Sequence, residues 1–307
     1  MKTITLKQTS TNVPAIAMGC MRIADKSITD VENYIRHCMD LGLNFFDHAD
    51  IYGRGVCEEK FGIAMRNIGV SRESLFIQSK CSIVPGIMYN MSKDYILSAV
   101  DGILSRLKCG YLDSLLMHRP DALVEPEEVA AAFDILYSSG KVRHFGVSNH
   151  KPMQIELLKR YVKQPIEFNQ LQLSIPVSGM IANGIEVNMN TEGSIDRDGS
   201  VLDYSRLHDI TIQAWSPFQY GHFSGVFVDD YEHFNGLNQA LHRMSEKYSV
   251  TPSAIAVAWI MRHPAKIQTI VGTTNLSRIS DVAAACSVSL TREEWYELYM
   301  QAGHPLP

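Results

Sequence analysis

The sequence predicts an α/β protein that folds as a closed (β/α)8 TIM barrel, and two observations support this prediction. Short apolar segments of strand length alternate with helical segments along the 307 residues, giving eight strand–helix units. Alternation of this kind favours parallel strands joined by crossover helices. The pattern GxGxxG, which opens the first strand–helix turn of many doubly wound sheets, is missing from that place. We therefore expect one barrel domain over residues 1–307, with a short N-terminal hairpin and extra C-terminal helices.

The elements are expected in strict order along the chain. Residues 2–14 favour a hairpin that precedes the barrel. Barrel strands are predicted at residues 15–20, 43–46, 75–80, 113–118, 142–149, 166–174, 210–218 and 267–272. Helices are predicted at residues 31–42, 58–66, 93–110, 127–140, 152–161, 201–209, 237–248, 252–262 and 276–285, with a last helix after residue 291.

Capping residues mark several helix starts. Thr29 followed by Glu32 predicts a capping box for the first helix, and Thr291 with Glu294 predicts one for the last. Thr251 stands before a proline that suits the first helical position. Residues 176–200 are rich in Gly, Asn, Ser and Asp without a helical period, so we expect an extended loop there, with room for a local turn.

Composition and charge exclude several classes of partner. The net charge is −5 and lysines and arginines form no cluster, so neither nucleic acid nor an anionic membrane is expected as a partner. The first residues lack the apolar core of a signal peptide, and no apolar run approaches a membrane span. The six cysteines form no CxxC pair, so reduced thiols in the cytoplasm are expected. No histidine spacing suggests a metal site, and no feature requires more than a monomer or a weak homo-oligomer.

Polar side chains stand at the ends of three consecutive predicted strands. Asp47 and Tyr52 follow the second strand, Lys80 ends the third, and His118 ends the fourth. In a barrel these carboxyl ends share one face, where the side chains can converge. A buried lysine beside a tyrosine is expected to lower the pKa of the phenol, and a carboxylate keeps that lysine charged. The tyrosine can then give a proton to a carbonyl oxygen that is becoming an alkoxide, while the histidine orients that oxygen.

The order and spacing of several short motifs identify a family. GLNFFDHADIYG, IQSK, LLMHRPD, FGVSN, FNQ, AWSPF and IVGTTNLSRI occur in that order, and together they resemble the aldo-keto reductase family. The resemblance implies a catalytic tetrad of Asp47, Tyr52, Lys80 and His118. It further implies reversible hydride transfer from NADPH to an aldehyde or ketone, with tyrosine as the general acid. NADP(H) is expected in preference to NAD.

The same resemblance implies the residues that bind the cofactor. Side chains expected at the nicotinamide are Ser148, Asn149, Gln170 and Trp215, the last at a place where tyrosine is commoner in the family. The loop expected along the pyrophosphate begins with Ser216, Pro217 and Phe218, and the segment expected at the 2′-phosphate contains Gly272, Thr273, Thr274 and Arg278. Gly19, Met21, Asp47 and Asp281 complete the predicted cofactor site. Many relatives carry a lysine where this chain has Gly272, which weakens the expected preference for NADP.

Two other functions remain open at this point. Lys80 at a strand end is also compatible with a Schiff-base lyase, although the cofactor motifs would then have no purpose. A barrel that binds NADP(H) and reports redox state to a partner, with little turnover, is the second alternative. For a reductase, the substrate walls are expected at Met21, Tyr52, Ile83, His118 and Trp215. The short C-terminal tail QAGHPLP implies an open pocket.

Overall fold

A computed structural model describes residues 1–221 and 224–306 and confirms the closed barrel. Its strands are β1 Thr3–Leu6, β2 Thr11–Pro14, β3 Ile16–Gly19, β4 Phe45–Asp47, β5 Phe76–Cys81, β6 Ile83–Val84, β7 Met88–Tyr89, β8 Leu112–Met117, β9 Val142–Ser148, β10 Ile166–Gln172, β11 Thr211–Trp215 and β12 Gln268–Val271. Strands β3, β4, β5, β8, β9, β10, β11 and β12 follow one another around the barrel in chain order, each parallel to the next. This order places every strand's carboxyl end on one face.

Helices connect the barrel strands. They are α1 Ile28–Asp40, α2 Val56–Asn67, α3 Lys93–Leu107, α4 Pro126–Ser138, α5 Pro152–Lys159, α6 Gly179–Ile185, α7 Val201–Leu207, α8 Asn235–Tyr248, α9 Pro252–Arg262, α10 Leu276–Ala283 and α11 Arg292–Gln301. Helix α8 precedes α9 within one crossover, and α11 follows the last barrel strand, which accounts for the extra helices near the C-terminus. In the described residues no helix is long and apolar enough to cross a membrane.

Side-chain alternation along the strands divides the core in two. In β4, Phe46 packs into the layer between strands and helices, whereas Phe45 belongs to a second cluster inside the barrel with Phe168. The hairpin of β1 and β2 joins this inner cluster through Ile4 and Val13. The amino end of the barrel lumen is therefore filled with apolar side chains.

One glycine of β9 is required by this inner packing. A Cβ at Gly146 would lie 2.6 Å from Leu116 Cδ2 and 2.8 Å from the carbonyl oxygen of Phe168. Both neighbours are themselves fully buried. No side chain fits there without moving the barrel wall.

The helix starts confirm two of the three predicted caps. Thr291 and Glu294 form the capping box of α11, and the Thr251 side chain accepts a hydrogen bond from the backbone N–H of Ala254 at the start of α9. The box predicted from Thr29 and Glu32 is wrong. The first helix begins two residues earlier, because Ser27 is its N-cap and shares a reciprocal box with Asp30.

The segment 176–200 was predicted as an extended loop and is more structured than that. It contains helix α6 and a 3₁₀ turn at Glu192–Ser194. Helix α6 has seven residues and buries Met180, Ile181 and Ala182. Its glycines and asparagine hide the periodic pattern, so tertiary burial rather than helix propensity accounts for it. Of the irregular stretch predicted at 219–235, residues 222 and 223 lie outside the described residues.

Candidate active site

A large cavity opens on the carboxyl face of the barrel, with a volume of about 820 Å³. Most of the residues predicted for the site line it, namely Gly19, Met21, Asp47, Tyr52, His118, Ser148, Asn149, Gln170, Trp215, Ser216, Pro217, Phe218, Gly272, Thr273, Arg278 and Asp281. Two predicted residues do not. Lys80 is fully buried behind the wall, and Thr274 lines a separate pocket of about 160 Å³ beside α1.

Lys80 is the centre of a compact polar cluster under the cavity. Its ammonium group donates to both carboxylate oxygens of Asp47 at 2.8 and 2.7 Å and to the carbonyl oxygen of His48 at 2.7 Å. The hydroxyl oxygen of Tyr52 lies 3.3 Å from the same nitrogen. Strands β4 and β5 are neighbours, with Asp47 opposite Gln78 in register, so sheet pairing brings the acid beside the lysine.

Burial and charge act in opposite directions on this cluster. Burial tends to lower the pKa of Lys80, but Asp47 and Tyr52 raise it above its ordinary value, so the amine stays charged. Burial raises the pKa of Tyr52, and the neighbouring Lys80 charge offsets only part of that effect. The expectation of a lowered tyrosine pKa is therefore wrong for this structure, because desolvation of the phenolate outweighs the lysine. Tyr52 is a protonated phenol at neutral pH.

His118 lies across from Tyr52, with the two ring centroids 6.1 Å apart in an edge-to-face arrangement. Burial, then the charge of Lys80, then that of Arg119, lower the pKa of His118 well below its usual value. Its imidazole is therefore neutral at physiological pH. Tyr52 and His118 thus present two neutral hydrogen-bond donors to one region of the cavity, and the Lys80 ammonium, 3.3 Å from the Tyr52 hydroxyl oxygen, can stabilise the phenolate.

A chain of side-chain hydrogen bonds fixes the cavity wall next to this region. Ser148 Oγ donates to the backbone oxygen of Gln170 at 2.9 Å, and Asn149 Nδ2 donates to Ser148 Oγ at 2.8 Å. The Trp215 indole N–H donates to Asn149 Oδ1 at 3.1 Å. Asn149 has a left-handed φ of 58°, a conformation that asparagine tolerates well. This hydrogen bond fixes the edge of the indole against the cavity wall.

The opposite end of the cavity lies at the start of α10. Asn275 caps that helix by accepting from the backbone N–H of Arg278. Within the described residues, the exposed Arg278 guanidinium forms no ion pair. A Cβ at Gly272 would meet nothing within 4 Å. A helix start with a free guanidinium suits an anionic group.

Sequence reasoning missed several buried polar groups near the site. Gln78, Gln213 and Gln268 are fully buried in the lumen, and only the inward positions given by strand alternation could have indicated them. Asp50, in the loop after β4, is another such group. It is half-buried, burial raises its pKa to about 7, and Tyr95 donates to its carboxylate at 3.4 Å.

In the part of the chain that the structure describes, no cluster of metal-binding side chains occurs.

Comparisons with known proteins agree with the barrel. The family model described as the aldo/keto reductase family matches residues 15–299. The chain is 34% identical over 302 residues to the uncharacterized oxidoreductase YcsN of Bacillus subtilis, covering 94% of each protein. It is 33% identical over 300 residues to a 6-dehydroglucose reductase of Agrobacterium fabrum, covering 94% of this chain and 93% of that protein.

A solved structure shows the same fold. The aldo-keto reductase from Klebsiella pneumoniae in complex with NADPH superimposes with a TM-score of 0.79 at 23% identity, covering 100% of this chain and 98% of that one. The family match spans nearly the whole barrel, and relatives above 30% identity cover almost the full chain. The protein belongs to the aldo/keto reductase family.

Proposed function

We propose that the protein is an NADPH-dependent reductase that converts an aldehyde or ketone to the alcohol, and that the reaction is reversible. The observation that carries this proposal is the position of the charged, fully buried Lys80, between the Asp47 carboxylate and the Tyr52 hydroxyl. A tyrosine with a raised pKa keeps its proton until the substrate oxygen becomes basic enough to take it. The adjacent lysine then stabilises the phenolate that is left.

Each side chain of the tetrad has a distinct proposed part. Tyr52 donates its proton to the carbonyl oxygen of the substrate. Lys80 compensates the phenolate charge, and Asp47 holds Lys80 in place through both carboxylate oxygens. His118 is neutral, so it can donate a hydrogen bond to the same substrate oxygen without competing as an acid. In the alcohol-oxidising direction, the Tyr52 phenolate accepts the proton.

The cavity fits NADP(H) as the hydride carrier. Bound NADPH supplies the hydride. Trp215 would stack on the nicotinamide, and Ser148, Asn149 and Gln170 would hold its carboxamide. Gly19 and Met21 would lie against the same part of the cofactor. The loop of Ser216, Pro217 and Phe218 would follow the pyrophosphate, while Gly272, Thr273, Arg278 and Asp281 line the end proposed for the adenosine 2′-phosphate. Thr274 lies in the neighbouring pocket, so we assign it no direct contact.

The substrate is proposed to be a small carbonyl compound. Met21, Ile83 and Trp215 line the cavity beside Tyr52 and His118. The name of the Agrobacterium fabrum relative, 6-dehydroglucose reductase, makes oxidised sugars a natural part of the first substrate panel. Simple aromatic and aliphatic aldehydes complete that panel, because apolar side chains line the substrate walls.

Stopped-flow measurement of NADPH fluorescence and absorbance tests the proposal, with wild type and Tyr52→Phe compared on the same panel. We expect both proteins to bind NADPH, and only the wild type to oxidise it when a carbonyl compound is added. Loss of general acid catalysis is worth about 10²- to 10⁴-fold in rate. Failure of the wild type to bind NADPH would contradict the proposal.

The same experiment separates the two alternatives. NADPH binding without turnover on any carbonyl compound is the result expected of a redox sensor or partner subunit. A Schiff-base lyase needs neither NADPH nor Tyr52 phenol chemistry, and borohydride would trap its substrate on Lys80. The paired, charged state of Lys80 argues against the Schiff-base lyase, since a Schiff-base lysine attacks as the neutral amine.

A further inference from the structure

A row of buried glutamines crosses the barrel lumen directly under the cavity. The glutamine lattice consists of Gln78 on β5, Gln170 on β10, Gln213 on β11 and Gln268 on β12. Each side chain is at most 3% exposed. Four long amides buried in one lumen are costly to desolvate unless they are fully bonded.

The lattice is bonded from end to end. Gln268 Nε2 donates to the backbone oxygen of Pro14 at 2.6 Å, and Gln213 Nε2 donates to Gln268 Oε1 at 2.8 Å. Gln213 and Gln78 form a reciprocal pair of hydrogen bonds at 2.9 and 3.1 Å. Gln170 Nε2 donates to Gln213 Oε1 at 3.1 Å. The lattice ends at Asp47, whose Oδ1 accepts from Gln78 at 2.6 Å and from Gln170 at 3.1 Å.

The two ends of the lattice determine how every amide is oriented. A backbone carbonyl at Pro14 and a carboxylate at Asp47 can only accept, so the amides that contact them must present N–H groups. If Gln78 were turned over, its carbonyl oxygen would face the Asp47 carboxylate. Both N–H groups of Gln170 are also used, by Asp47 and Gln213, which leaves its carbonyl oxygen for the cavity.

We propose that Gln78 is a positioning residue for the reaction: its amide holds the Asp47 carboxylate, and through it Lys80, in the place that serves Tyr52. Gln78 contacts neither the cavity nor Tyr52, and it acts only through Asp47. This inference rests on the proposed reductase function. Gln78 is the nearer of two amide donors to Asp47 Oδ1, at 2.6 Å against 3.1 Å for Gln170, so its loss leaves the carboxylate less compensated and able to draw Lys80 away from the phenol.

The effect of Gln78 on the Asp47–Lys80 pair can be measured by pH titration, because few titratable groups among the described residues lie near Asp47. Lys80 is the charged group in contact with Asp47, and Tyr52, Cys20 and Tyr34 lie within electrostatic range of it. Burial raises the pKa of both Cys20 and Tyr34 well above their ordinary values, so they remain neutral. A change in Tyr52 ionisation on altering Gln78 therefore reports the Asp47–Lys80 pair.

Two substitutions at Gln78 and one matched control test the proposal. Gln78→Met keeps the volume and removes the donor to Asp47. Gln78→Glu keeps the length, and its protonated carboxyl can still donate at low pH. Gln268→Met is the control, because it makes the same change to an equally buried lattice member that does not contact Asp47.

We expect kcat for carbonyl reduction to fall about 10- to 100-fold in Gln78→Met at every pH, with KM for NADPH nearly unchanged. Gln78→Glu should approach wild-type kcat at low pH and lose it as pH rises and the second carboxyl ionises. Gln268→Met should match Gln78→Met in lost stability while keeping kcat and its pH profile. Equal kcat losses in the two methionine variants, or a Gln78→Glu profile parallel to wild type, would overturn the proposal.

A second measurement does not depend on turnover. Ultraviolet difference titration, referenced to Tyr52→Phe, follows ionisation of the Tyr52 phenol directly. Gln78→Met should raise the pKa of Tyr52 relative to wild type, because Asp47 is less compensated and Lys80 moves toward it, whereas Gln268→Met should not. The same pKa in both variants overturns the inference even if the wild type is an active reductase. A shift only in Gln78→Met supports it even if the wild type reduces no carbonyl and the proposed function fails.

Discussion

The two ends of the cavity differ in how their charges are compensated. At the Tyr52 end, the fully buried Lys80 ammonium has acceptors on Asp47, His48 and Tyr52 within 3.3 Å. At the α10 end, Arg278 is exposed, and within the described residues its guanidinium has no ion-pair partner. The charges at the first end are compensated within the protein, whereas the partner proposed for Arg278 is the 2′-phosphate of the cofactor. Changes at the first should therefore affect the chemical step, and changes at the second should affect cofactor affinity.

The largest loss of stability and activity is expected from breaking the buried Lys80–Asp47 ion pair. Lys80→Met leaves the Asp47 carboxylate buried without its cation, which typically costs about 3–5 kcal/mol of unfolding free energy. Carbonyl reduction should be lost, because no cation remains to stabilise the Tyr52 phenolate. Urea unfolding and NADPH oxidation measure the two effects.

A surface pair supplies the matched control for this change. Lys141 contacts Asp101 at 2.5 Å, and both side chains are well exposed, at 41% and 61%. Lys141→Met should cost at most about 1 kcal/mol and leave turnover intact. Similar losses of stability in the two variants would show that burial does not distinguish these pairs.

The pH dependence of kcat in the two reaction directions should test the role of Tyr52 as the proton carrier. Because burial raises the pKa of Tyr52, the phenol stays protonated through neutral pH, and kcat for reduction should be flat there and fall only in alkaline solution. Alcohol oxidation requires the phenolate, so kcat for oxidation should rise with pH in the alkaline range where kcat for reduction falls. Parallel profiles in the two directions would contradict Tyr52 as the proton carrier.

One neighbouring carboxyl needs a control in those profiles. The pKa of Asp50 is raised by burial to about 7, and this residue is two positions from Tyr52. An inflection near neutral pH that disappears in Asp50→Asn belongs to Asp50. His118 should contribute none, because its pKa lies well below its usual value.

A smaller and more selective effect is expected at the α10 end. Arg278→Ala should weaken NADPH binding by about 10- to 100-fold, the usual range for a hydrogen bond between charged groups. NADH lacks the 2′-phosphate and serves as the internal control, so its affinity and kcat should change little. Fluorescence titration with both cofactors measures the difference. Equal losses for NADPH and NADH would place the 2′-phosphate elsewhere.

The smallest effect on NADPH affinity should come from adding a positive charge at Gly272. Gly272 has open space around its Cα, so Gly272→Lys can be accommodated without a clash. A solvent-exposed ion pair contributes up to about 1 kcal/mol, which predicts a gain of up to about fivefold in NADPH affinity. Gly272→Gln is the neutral control of similar length and should give no gain. A gain in NADH affinity of the same size would contradict an effect on the 2′-phosphate.

The two ends also differ in how well the sequence predicted them. Asp47, Lys80 and His118 were located at consecutive strand ends from alternation alone, and the barrel then brings Asp47 and Lys80 into contact. The family motifs placed Gly272 and Arg278 at one cavity wall. Neither the raised pKa of Tyr52 nor the burial of Asp50 follows from the sequence, because desolvation depends on what surrounds a group in space.

The sequence alone determined the barrel, the order of its strands and the face that carries the polar residues. These follow from local periodicity, caps and motif order, all of which are written within short stretches of chain. The tertiary structure alone decided that four glutamines from four strands meet in the lumen, where Gln78 and Gln170 donate to Asp47 and the other two extend the hydrogen-bonded row. Residues 78 and 213 are 135 positions apart, so their contact depends on closure of the barrel and not on any local pattern.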